Sequence, residues 1–177
     1  MRSLELRRHS HRDPDSDRLS EEGEGLALQV GKDLPGGYAI VFTSPTRRAA
    51  ETAAWFLRGL GQKLPPHGVE EGLTSPVEDR WRSAAKIAAT GRLDEVEKVD
   101  ADLVEKESSR LADAIRHLLG EVPEGGRGLA VGHTPLIEAA VYGLTGRVIE
   151  PLGECEGVLV EQEGDEVQLA AEYRLER

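Results

Sequence analysis

Two histidines and a group of arginines stand where the hydropathy pattern ends a strand and, in two of three cases, begins a helix. His9 follows a short extended segment at 3–8, Arg47 and Arg48 follow the apolar run at 38–43, and His133 follows the apolar run at 127–132. Neutral imidazole is a nucleophile near physiological pH, and its N–H groups donate hydrogen bonds. Arginine presents a rigid fork of donors that matches phosphate oxygens two at a time. In open α/β sheets ligands bind beyond the carboxyl ends of the strands. Helix N-termini add free N–H groups and a dipole that favour an anion. Two histidines and several arginines on such an edge describe a phosphate pocket that holds its own nucleophile.

The elements that must position these residues read as strand alternating with helix. Segment 3–8 is a short strand, and Ser3, Glu5 and Arg7 argue against its full burial. Ser20 is expected to cap a helix running through Leu26, Leu28, Val30 and Leu34 to Gly36-Gly37. Tyr38–Thr43 is nearly all apolar, as in a strand covered on both faces. Ser44-Pro45 reads as an N-cap and first-turn proline for a helix reaching about Leu60-Gly61. A further short strand is expected within 64–69. Residues 76–120 read as helical with a break near Gly91, and Leu103, Val104, Leu111, Ile115, Leu118 and Leu119 form an apolar stripe at helical spacing. The strand at 127–132 is followed by Thr134-Pro135, which repeats the cap and proline. Residues 157–162 and 166–174 alternate around Gly164-Asp165, as a closing hairpin does. The fold expected is α/β, a three-layer α/β/α sandwich on a mostly parallel mixed sheet with a C-terminal β-hairpin, built as one domain over 1–177.

Three motifs now carry a resemblance. Arg8-His9-Ser10, then Ser44-Pro45-Thr46-Arg47-Arg48-Ala49-Ala50-Glu51-Thr52, then Val131-Gly132-His133-Thr134-Pro135 resemble the histidine phosphatase superfamily, the phosphoglycerate-mutase-like fold. The compact length and terminal hairpin look most like its small bacterial phosphohistidine phosphatases. The resemblance implies a metal-free, cofactor-free phosphoryl transfer in two steps, with His9 as the phosphate acceptor. It implies that Arg8, Arg48 and His133 hold the transferring group, where most stabilisation of such reactions lies. The pattern Ser-Pro-x-x-Arg-Ala selects Arg48 over Arg47. A further arginine is expected after the nucleophile, and Arg12 and Arg18 are both available, with Arg12 preferred. A mutase reading is disfavoured by the modest length of the 70–110 region. The implied partners are a phosphorylated small molecule or a phosphohistidine protein.

Two departures from the family pattern matter. Ser10 stands where glycine is usual, and a backbone needing positive φ there would be strained. Thr134 follows the second histidine, where acid-phosphatase relatives carry aspartate. The proton donor to the leaving group is then sought at Glu70 or Glu71, with Glu71 taken as the catalytic candidate. The arginines beside His9 should depress its pKa, so activity is expected to persist below neutral pH.

Composition narrows the function classes. The 177 residues contain 33 acidic and 22 basic side chains, a formal charge of −11, which argues against a nucleic-acid or anionic-membrane binder. Aromatics at 4% leave little for base stacking. One cysteine permits no internal disulfide, and the start lacks the apolar core of a signal peptide, so a soluble cytoplasmic protein is expected. Cys155 reads as an inert thiol, His67 and His117 as structural or solvent-facing. Glu95, Glu97, Glu105 and Glu107 read as a solvated helical face.

Two rival readings follow from the same residues. His9-Ser10-His11-Arg12-Asp13 alternates metal-ligand types, and with His133 it is similar to fragments of the metallo-β-lactamase superfamily. Pro14 stands where that family needs histidine, and too few residues precede His9. The other rival is a catalytically silent member that binds a phosphorylated ligand.

Overall fold

Strand alternation decides which side chains enter which core. In the computed structural model, which describes residues 1–176, β4 (Arg127–Gly132) sends Leu129 and Val131 into one core and Ala130 into another. Arg177 lies outside the described residues. β2 (Tyr38–Thr43) splits likewise, with Val41 on the first side and Phe42 on the second. The first core is closed by α1 (Glu21–Asp33) and α2 (Arg47–Leu60) through Ala27, Val30, Ala53 and Phe56. The second is closed by α5 (Ala101–Glu121) and α6 (Leu136–Thr145), with α3 (Glu78–Ile87) and α4 (Leu93–Val99) at its margin. The expected stripe on α5 is buried here in full. This is the α/β/α sandwich.

The six strands lie in the order β3-β2-β4-β1-β5-β6, with β1 at Arg2–Arg8, β3 at His67–Val69, β5 at Gly157–Glu163 and β6 at Glu166–Tyr173. β1 to β4 run parallel, and β5 and β6 are antiparallel additions that form the expected hairpin. Because β4 is inserted between β1 and β2, the loops after those three strands emerge side by side. Register completes the alignment: Arg8 pairs with Gly132 and Thr43 with Val131. His9, His133 and Ser44 are therefore neighbours at one edge.

Several local expectations are revised. Glu5 and Arg7 are buried, at 0% and 4% exposure, on the face of β1 opposite Leu4 and Leu6. Their charges are compensated rather than solvated. Glu5 accepts from Arg7 Nε at 2.7 Å, from the Tyr38 hydroxyl at 2.9 Å and from Arg127 Nη2 at 2.6 Å. Residues 76–120 break twice, at Gly91 with φ +72° and again at Asp100, whose carboxylate caps α5 through the Leu103 N–H. Glu107 is buried at 5% exposure, not solvated. The strand expected within 64–69 forms only at 67–69.

The helix starts matter most for the site. Ser20 caps α1 as expected, accepting from the Gly23 N–H at 3.0 Å. The cap of α2 is Thr46, however, which leaves the Ser44 hydroxyl free for another partner. The cap position of α6 falls on Pro135, without a side-chain cap, and Thr134 donates instead to the Glu138 carboxylate one turn on. Gly23 seats the loop that carries His9, since a Cβ there would lie 2.1 Å from the His11 carbonyl oxygen.

Candidate active site

His9 follows directly on β1, and its ring is held in one tautomer from both sides. Arg48 Nε–H, which can only donate, points at His9 Nε2 from 3.3 Å. Nε2 therefore carries a lone pair and Nδ1 the proton. Nδ1–H donates to the Ser10 carbonyl at 2.7 Å, which agrees. Burial lowers the His9 pKa, and the nearby charges of Arg48 and Arg8 lower it further. The Ser10 carbonyl works in the opposite sense, and the net result is about 4. At neutral pH the ring is an uncharged base with its free nitrogen set among cations.

His133 stands across the edge, its ring centroid 5.2 Å from that of His9 and the planes at 60°. Arg48 Nη2 lies 3.4 Å from Nδ1, so Nδ1 accepts and Nε2–H donates to Ser44 Oγ at 2.7 Å. The Ser44 hydroxyl passes its own proton toward Thr46 Oγ1 at 3.0 Å. Burial, then the neighbouring His9 and Arg48, brings the His133 pKa down to about 3. Both imidazoles are neutral in the free site.

The arginines are anchored in different ways. Arg48, in the first turn of α2, uses its third donor group on Asp17, whose other oxygen accepts the Arg47 N–H at 2.8 Å. Burial opposes ionisation of Asp17, but the Arg47 N–H and the Arg48 guanidinium outweigh it and hold its carboxyl below the usual range. Arg8 donates to the Leu152 carbonyl at 2.7 Å and pairs with Glu154 at 3.0 Å. Its Nε is buried without a partner among the described residues. Arg47 points away and pairs with Glu51 at 2.7 Å, so Arg48 is the arginine of that pair that reaches the histidines.

Arg8, His9, Arg48 and His133 share the end of one cleft of about 250 Å³. Ser75, Glu78, Trp81 and Leu136 also line it. A second, more polar opening of about 380 Å³ meets the first at Arg8, His9 and Arg48 and is lined also by His11, Arg12 and Glu154. Arg12 is exposed but borders that opening. Arg18 is exposed and lines neither. Glu71 is exposed and Glu70 accepts from the Gly72 N–H, and neither lines the cleft. The carboxylate that does line it is Glu78. That residue went unnoticed in the sequence because only the rotation of α3 tells it from Asp79 beside it.

Ser10 resolves without strain. Among the described residues Cys155 alone of the non-glycines has positive φ, so Ser10 does not. Its hydroxyl donates to the Gly23 carbonyl at 2.7 Å and its N–H to Thr52 Oγ1 at 3.0 Å, both buried. Ser10 thus ties the loop that carries His9 to α1 through its side chain and to α2 through its backbone N–H. His9, His11, Asp13 and His133 do not form a metal-ligand set: no cluster of three or more such side chains is placed to hold a metal among the described residues. No helix among the described residues is long and apolar enough to cross a membrane.

Solved structures share this fold. The phosphoglycerate mutase of Bacillus anthracis has a similar structure, with a TM-score of 0.71 at 18% identity, covering 96% of this chain and 91% of that one. A phosphoserine phosphatase of Entamoeba histolytica in complex with 3-phosphoglyceric acid gives 0.69 at 17%, covering 99% and 98%. The protein histidine phosphatase SixA, complexed with tungstate, gives 0.62 at 20%, covering 97% and 96%. These likenesses show the fold. No match is found among curated protein sequences. The model of the histidine phosphatase superfamily, branch 1, matches residues 3–159, and the chain belongs to that superfamily.

Proposed function

We propose that the protein is a phosphatase that hydrolyses phosphorylated substrates through a phosphohistidine on His9. The observation that carries this reading is the locked tautomer of His9, with a free Nε2 lone pair beside Arg8 and Arg48 at the end of a cleft. Nε2 adds to phosphorus while the bond from phosphorus to the leaving oxygen breaks, and the leaving group departs with that electron pair. Arg8, Arg48 and His133 hold the non-bridging oxygens, with Arg12 at the margin and Arg18 outside. Water then adds to phosphorus, giving its proton to the carboxylate that protonated the leaving group, the P–N bond breaks, and inorganic phosphate leaves as Nε2 recovers its lone pair.

The leaving oxygen needs a proton, and Glu78 is the carboxyl lining the cleft, so it replaces Glu71 as the candidate donor. Glu78→Gln should slow alkyl phosphates more than p-nitrophenyl phosphate, whose leaving group needs less help. An equal loss on both would remove Glu78 from that role.

The test of the mechanism is acid-labile phosphate trapping during turnover of an aryl phosphate in excess chelator. His9→Ala should lose both the label and the activity while remaining folded. Arg48→Ala should weaken vanadate inhibition by roughly 10–100-fold, as expected for losing charged hydrogen bonds. Turnover without label on His9 would overturn the covalent route.

A further inference from the structure

The cleft is also faced by α3 and the start of α6, of which the phosphoryl chemistry uses only Glu78. Trp81, Ala85, Pro135 and Leu136 give it a mostly carbon surface. That surface is held in place from outside the site. The Trp81 indole N–H donates to Glu107 Oε2 at 3.3 Å, and the Ser75 hydroxyl donates to the same oxygen at 2.7 Å. Glu107 sits buried on α5 and is gripped by Arg110, which donates to both its oxygens at 2.9 Å. Arg110 also holds the Gly72 and Thr74 carbonyls. A buried carboxylate, costly to withdraw from water, is thus committed to fixing one indole and one serine of this wall.

Charge at the mouth limits what the wall can receive. Arg82 lines the cleft but is paired with Asp79 at 2.9 Å, and Glu78 lines it beside them. A leaving group with its own carboxylate or phosphate would meet Glu78 there, with the charge of Arg82 already met by Asp79. An uncharged group with a flat or apolar face would displace water from carbon on Trp81, Ala85 and Pro135.

We infer that this wall is the leaving-group subsite and that it takes compact, uncharged leaving groups with a planar or apolar face, in preference to anionic ones such as that of a phosphoglycerate. The inference rests on the phosphatase reading for the identity of the leaving group, but the subsite is testable without turnover. Titration calorimetry would compare phenylphosphonate with methylphosphonate, which share the phosphate-like head and differ in the group offered to the wall. The protein should bind phenylphosphonate about tenfold or more tightly, the scale set by burying one aromatic face.

Ala85 is exposed, so Ala85→Glu should fold normally and bring the ratio of the two affinities close to one. Trp81→Phe, which keeps an aromatic edge, should retain most of it. Equal affinity for the two phosphonates, or tighter binding of 3-phosphoglycerate than of phenyl phosphate, overturns the subsite. A phenyl preference in a protein that releases no phosphate from phenyl phosphate would leave the subsite standing and overturn the phosphatase reading.

Discussion

His133 turns its Nε2–H to Ser44 Oγ, 2.7 Å away, so the nitrogen left facing Arg48 is the unprotonated Nδ1. To donate a hydrogen bond to a bound phosphoryl oxygen from Nδ1, the ring must first gain a proton. Burial and the adjacent Arg48 oppose this in the free site, where the pKa lies at about 3. A dianion placed between Arg8 and Arg48 reverses that balance.

Binding of a dianion should therefore take up a proton at His133. Sulfate is the useful probe because it does not itself titrate near pH 6. Calorimetry in two buffers of different ionisation enthalpy should report uptake approaching one proton at that pH. His133→Asn should bind sulfate more weakly with no uptake. Uptake that persists in the variant would place the proton elsewhere, with His9 the first alternative.

The same two rings set an acid limit on stability. Their ordinary pKa is 6.5, and in the folded protein His9 lies at about 4 and His133 at about 3. Between those values and 6.5 the unfolded chain binds more protons than the folded one, so stability falls as pH falls. The loss should begin near pH 6.5 and continue to about 3. Thermal unfolding of the His9→Ala, His133→Asn double variant should show a shallower decline over that range. Equal slopes for variant and parent would contradict the depressed values. The catalytic acid limb should sit near pH 4 for the same reason, so turnover should persist below neutral pH once substrate ionisation is accounted for.

Asp17 occupies the one Arg48 donor group that neither histidine uses, and it does so as an anion beside the place a phosphate would take. Asp17→Asn keeps an acceptor for the Arg47 N–H but removes the like charge. Vanadate inhibition should strengthen by about threefold or more, and stability should drop by about 0.5–1 kcal/mol as a helix N-terminus loses its carboxylate. Weaker vanadate inhibition would mean that Asp17 serves chiefly to aim Arg48.

The sequence made the strand ends legible but not what their side chains do there. His9, Arg48 and His133 could be placed because each directly follows a strand or opens a helix. Ser44 and Thr134 were misplaced because a serine or threonine before proline looks the same whether its hydroxyl caps a helix or binds a neighbour. Here one goes to His133 and the other to Glu138. Glu5, Arg7 and Glu107 looked solvated because the groups that compensate them are distant in sequence. Arg127 is 122 residues from Glu5, and Trp81 is 26 from Glu107. Glu70 and Glu71 come forward from the family's acidic position alone, whereas Glu78 stands apart from Asp79 only once the rotation of α3 is seen.

Glu107 is where that hidden pairing has its largest consequence. Its carboxylate receives Ser75, Trp81 and both arms of Arg110, and although burial favours the neutral acid, these donors hold its pKa below the usual range. Glu107→Ala leaves the indole N–H and the Ser75 hydroxyl unsatisfied and Arg110, a third exposed, without its partner. A loss of about 2 kcal/mol or more follows, less than for a fully buried pair because solvent reaches the arginine. Thermal or urea unfolding would measure it. The wall should loosen with it, so KM for phenyl phosphate should rise while kcat for a methyl ester changes little. Glu107→Gln, which keeps the shape and one acceptor, should recover part of both. An unchanged KM in a measurably destabilised Glu107→Ala would make the residue a support of the core alone.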